Sequence, residues 1–131
     1  MADQVYIPKP GLNHVGNYQV SAIPFATSSV VAPTGSGTPL EISFPTITKF
    51  VVIKNINPTS ATLRIGFSAN GVKGTNYVTI GKDESFCADI KLSSVFLLGD
   101  TSAVTASLFA GLTGISGYNL TAAYSGAAGI G

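Results

Sequence analysis

Residues 48–68, TKFVVIKNINPTSATLRIGFS, constrain this chain more than any other stretch. Phe50, Val51, Val52 and Ile53 form a short apolar run rich in β-branched side chains, which are crowded in a helix and fit a pleated strand. Leu63, Ile65 and Phe67 then alternate with Thr62, Arg64 and Gly66, the period of a strand with one buried face. Between the two lie Asn55, Ile56, Asn57, Pro58, Thr59 and Ser60. Pro58 fixes its own φ there, and the two Asn side chains are suited to capping a turn. The expected unit is a β-hairpin with one face in a core.

The same two signals recur along the chain. Leu40, Ile42 and Phe44 share one face of a short strand. Tyr77, Val78, Thr79 and Ile80 make another strand, and Phe86, Ala88 and Ile90 line one side of a third. Val95, Phe96, Leu97 and Leu98 are a continuous apolar run, and Val104, Ala106, Leu108, Ala110 and Leu112 alternate so regularly that strand is preferred over helix for residues 103–112. Residues 18–23 read as a strand that lies at a sheet edge or stops at Pro24, with a linker after it and loop over residues 30–39. Asn70-Gly71 and residues 81–84 read as turns.

Turn signals thus separate about eight strands, the spacing of an all-β sandwich. The fold class expected is an antiparallel β-sandwich, jelly-roll or Ig-like. Residues 1–16 form an extended N-terminal arm, residues 17–115 the sandwich, and residues 116–131 a Gly-rich C-terminal tail, flexible or docked. A faint internal repeat pairs residues 51–67 with residues 95–109 as two similar hairpins.

Charge narrows the possible roles. Charged residues make up only 10% of the chain, against about 25% in an average soluble protein. A surface so poor in charge is suited to contact with other protein. The seven basic residues are scattered, with a net charge of +1, so nucleic acid has no basic patch to bind. The single Cys87 has no partner for an internal disulfide and, between Phe86 and Ala88, reads as a small buried hydrophobe. Neither a signal peptide nor a membrane span is expected.

Chemistry-bearing residues do not assemble into a motif. His14 stands alone in a polar loop, and a metal site needs several converging ligands. Six carboxylates, Asp3, Glu41, Asp83, Glu84, Asp89 and Asp100, are dispersed, and neighbours on a strand point to opposite faces. The Gly-rich pieces lack a phosphate-binding lysine, and no nucleophile elbow is present. Catalysis, cofactors and metals are therefore not expected. Most Phe residues read as core. Tyr6, Tyr18, Tyr118 and Tyr124 gather at the two ends, where large contact area at low entropy cost is useful for docking.

Residues 18–25, 42–45 with 49–53, 63–67, and 108–115 with 118–121 resemble small virion structural proteins of tailed bacteriophages, particularly marine and cyanobacterial ones. The resemblance implies a β-sandwich that decorates or cements a capsid, or fits a neck or tail position, with no catalytic residues to carry over. Its partners would be the major capsid protein or other virion subunits and further copies of itself. It would be made in the host cytoplasm and reside in the virion. Docking is then expected from Val5, Tyr6, Ile7 and Pro8 in the arm and from Tyr118, Leu120 and Tyr124 in the tail. The alternative is a carbohydrate- or receptor-binding module of a tail or head fibre, in which Tyr77 or another mid-chain aromatic is exposed to stack on a sugar. A small hydrolase would instead need acids converging in a cleft.

Overall fold

The computed structural model describes residues 21–34, 38–115 and 128–130. Among them are eight strands and one short helix: β1 (Ile23–Ala32), β2 (Leu40–Ser43), β3 (Thr48–Asn55), β4 (Leu63–Gly66), α1 (Ala69–Lys73), β5 (Tyr77–Ile80), β6 (Ser85–Ala88), β7 (Ser94–Gly99) and β8 (Val104–Leu112). They form two four-stranded sheets, one in the order β1-β8-β3-β6 and the other β2-β7-β4-β5, here sheets A and B. All strand pairs are antiparallel.

The first strand pairs with the last, the second with the seventh, the third with the sixth and the fourth with the fifth. A ribbon folded in half and then wound into two sheets gives this pairing. It is the jelly-roll member of the two sandwiches expected from the sequence.

The alternations define the core. Val51, Ile53, Leu63, Ile65, Val95, Leu97, Val104, Ala106 and Leu108 all belong to one buried cluster between the sheets, each contributing about 1.5–3 kcal/mol when a large aliphatic side chain is fully removed from water. Phe25 and Phe44 meet edge to face, with ring centroids 5.1 Å apart. The Thr48 hydroxyl, fully buried, donates to the Ile90 carbonyl at 2.7 Å and accepts the Leu92 amide at 2.9 Å, whereas the buried Thr46 hydroxyl has no hydrogen-bond partner among the described residues.

Five local expectations need correction. β3 and β4 do not form a hairpin, because β3 lies in sheet A and β4 in sheet B. Asn55 and Asn57 do cap the connection, yet what they cap is an arch between sheets. The buried Asn55 amide donates to the carbonyls of Ala61 and Ile80, its Oδ1 accepts the Asn57 amide, and Asn57 Oδ1 accepts the Thr105 amide of β8. The similar β7–β8 unit also changes sheets, so the faint repeat is one of arches.

Of the strand expected at residues 18–23, residues 18–20 lie outside the described residues; β1 begins at Ile23, passes through Pro24, where a stop was expected, and takes in Val30, Val31 and Ala32 of the expected loop. Pro24 is tolerated because β1 is an edge strand among the described residues, paired there only with β8. A register shift between Thr27 and Val30 breaks the alternation there. Asn70-Gly71 is not a tight turn but part of α1, whose N-cap Ser68 accepts the Gly71 amide. Cys87, finally, is exposed.

Candidate interaction surface

The outer face of sheet A follows from register. Positions that alternate with the core residues point outward, and the pairing lines them into rows. Ala26 of β1 lies beside Phe109 of β8, Phe109 beside Val52 of β3, and Val52 beside Cys87 of β6, a single row across all four strands. Next to it, Pro24 pairs with Gly111 and Gly111 with Phe50. On the other side, Ser107 pairs with Lys54 and Lys54 with Ser85.

Two aromatic rings dominate this face. Phe50 and Phe109 lie with centroids 5.6 Å apart and planes tilted by 51°. Phe50 rests over Gly111, where an added Cβ would come within 2.4 Å of the ring and 2.6 Å of the Ala22 methyl. A glycine is required there to seat the aromatic. Phe109 keeps 43% of its surface exposed, and Val31 at the end of β1 keeps 59%. Lys54 is the charged side chain among these rows. Along one end, Lys49, Asp89, Ile90 and Lys91 line a surface depression of about 290 Å³.

Sheet B presents a different outer face. α1 lies on it, with Val72 fully buried and so close to Gly66 that a Cβ at position 66 would fall 2.6 Å from that of Val72. Leu98 points outward on β7 and is nevertheless only 1% exposed. Arg64 ties the cover down. Its Nε donates to Asp100 Oδ1 at 2.8 Å, a second guanidinium nitrogen lies 2.7 Å from the same oxygen, the third donates to the Val72 carbonyl, and the plane sits 4.4 Å from the centre of the Tyr77 ring.

The residues picked out from the sequence are distributed as follows. Val5, Tyr6, Ile7, Pro8, Tyr118, Leu120 and Tyr124 lie outside the described residues, as do His14 and Asp3. Tyr77 is half-buried with Arg64 against its ring, which removes it as a sugar-stacking platform. Glu41, Asp83, Glu84 and Asp89 are exposed and Asp100 is engaged by Arg64. Among the described residues no three His, Cys, Asp or Glu side chains come together in a way that would hold a metal ion, and no helix is long and apolar enough to cross a membrane.

Sequence reading missed Phe50 and Phe109 as surface residues by assigning most Phe to the core. The signal was present for Phe109: if Leu108 and Ala110 face inward, it faces out.

No protein-family model matches the chain, and no curated protein does. A solved crystal structure, that of PirA, is similar over 70% of this chain and 94% of its own, at 13% identity and a TM-score of 0.32. A likeness that slight bears on neither fold nor function.

Proposed function

We propose that this protein is a structural subunit of a virus particle, a decoration or cement protein that binds across capsid subunits with the outer face of sheet A. The observation that carries the reading is the four-strand row Ala26, Phe109, Val52 and Cys87 with Phe50 beside it, an aromatic and aliphatic surface bordered by Lys54 as its charged group. Contiguous apolar surface on a soluble domain marks contact with protein or membrane, and aromatic anchors depleted of charge are the composition of interface centres. Jelly rolls serve in capsids and also in lectins and cupins, so the fold is compatible with the reading without selecting it.

In this role the sandwich is a rigid body and its partners are capsid subunits and further copies of itself. Arm residues Val5, Tyr6, Ile7 and Pro8 and tail residues Tyr118, Leu120 and Tyr124 extend the contact across seams. Individually weak contacts repeated over a shell add through avidity. No catalytic residue, cofactor or metal takes part.

The test is occupancy on particles. Phe109→Lys places a charge in the centre of the face and leaves the core untouched, and removal of residues 1–12 takes away the arm. Each variant is expected to unfold cooperatively, Phe109→Lys within a few degrees of the parent protein, and to lose incorporation. Unchanged copy number on purified particles for Phe109→Lys would reject the face, and unchanged copy number for the deletion would reject the arm. The glycan-binding alternative retains one feature, the part-exposed ring of Phe109. Saturable binding on a glycan array, abolished by Phe109→Ala, would favour it.

A further inference from the structure

Residues 128–130 return to the sandwich at α1. The Ser68 hydroxyl accepts the Gly71 amide at 2.9 Å and donates to the carbonyl of Ile130 at 2.7 Å. Gly71 is buried although its neighbour Asn70 is exposed, and what buries it is that same carbonyl: a Cβ at position 71 would lie 2.0 Å from the Ile130 oxygen. Gly71 has no positive φ, so the absence of a side chain serves space. Gly129, at φ 84°, takes the left-handed conformation that a glycine adopts without strain and turns the chain just before Ile130.

We infer that the notch formed by Ser68 and Gly71 is a binding site for the C-terminal peptide segment around Ile130, filled by the chain's own residues in a free molecule and by those of a second copy where copies are packed together. The recognition uses a backbone carbonyl, a hydroxyl and a missing side chain. Nothing covalent or ionic among the described residues secures it, so the contact is reversible. The described stretch of the sandwich ends at Ile115, whose amide donates to the Thr113 hydroxyl. Residues 116–127 have a maximum reach of about 40 Å, comparable with the width of a domain this size. A neighbour's notch therefore lies within range, and exchange of an identical element between copies conserves every contact. The choice of a second copy as occupant rests on the particle reading; the notch itself does not.

The probe is a fluorescently labelled peptide with the sequence of residues 124–131, Tyr-Ser-Gly-Ala-Ala-Gly-Ile-Gly, titrated with protein free of particles and followed by polarisation. A chain ending at residue 125 is expected to bind it saturably. The full chain, whose own segment competes at millimolar effective concentration, is expected to bind about tenfold more weakly. Gly71→Ala in the shortened chain is expected to abolish binding. Equal binding to both chains, retention of binding by Gly71→Ala, or no binding to a shortened chain that still unfolds cooperatively would each overturn the inference.

Should the shortened chain not fold, carboxypeptidase digestion of the full chain gives an independent reading. Gly71→Ala is expected to speed release of the last residues, and an unchanged rate overturns the notch. Because neither experiment involves particles, failure of the notch leaves the virion reading standing, and loss of the virion reading leaves the notch standing.

Discussion

The two outer faces of the sandwich are built from similar strands and finished differently. On sheet B, Leu98 points away from the core and is 1% exposed, whereas on sheet A Phe109 points away from the core and is 43% exposed. The chain spends α1, the Arg64–Asp100 pair and the segment at Ile130 on covering sheet B. Sheet A receives no such cover from the described residues. An apolar outward position covered by its own chain belongs to the fold, while one left open belongs to whatever the protein meets. That distinction gives sheet B's exterior to stability and, on the proposed reading, sheet A's to association.

The sharpest way to break the comparison is to truncate the matched outward residues. Leu98→Ala is expected to cost about 2–5 kcal/mol, as for other large aliphatic side chains removed from a packed site. Phe109→Ala is expected to cost about 1 kcal/mol, because roughly half of its transfer from water has never taken place. Denaturant midpoints of the two variants measure the difference, and equal losses would mean that sheet A's exterior is as structural as sheet B's.

A smaller effect comes from the contact that seats the cover. Gly66→Ala pushes against both the side chain and the backbone of Val72 and is expected to cost about 1–3 kcal/mol through overpacking. Amide exchange in α1 should rise with it. Smaller still is Asp100→Asn. The side chains of Arg64 and Asp100 keep 20% and 35% exposure, so solvent screens the pair and the expected loss is about 0.5 kcal/mol. That loss should shrink further in high salt.

Much of this architecture was legible in the sequence because alternation reports which way a side chain faces. Val104, Ala106, Leu108, Ala110 and Leu112 were all expected inward and all are buried, and the same holds for Ile42, Phe44, Leu63 and Ile65. Alternation is silent on which strand lies next door. The arch at Asn55–Asn57 therefore read as a hairpin, since the bonds that make it an arch include those to Ile80 and Thr105 on other strands. β1 was hidden by the extra residue between Thr27 and Val30, which shifts the inward set from Phe25 and Thr27 to Val30 and Ala32 and looks like loss of pattern.

The candidate surface was legible in part. Low charge pointed to protein contact, and period-two reasoning applied evenly would have turned Phe109 and Cys87 outward along with their neighbours. Phe50 could not be found so simply. It sits in a continuous apolar run, where its outward direction is set by pairing with Gly111.

The winding of the ribbon also sets an order of events during synthesis. β8 lies between β1 and β3 and is their shared partner in sheet A, and among the described strands it is the last to leave the ribosome. β1, made first, has no strand to pair with until then. Such long-range closure is slow to nucleate and leaves greasy edges bare meanwhile. The β3–β6 ladder can close before β8 is made, but β1 waits for β8 and sheet A is completed only at the end of that wait.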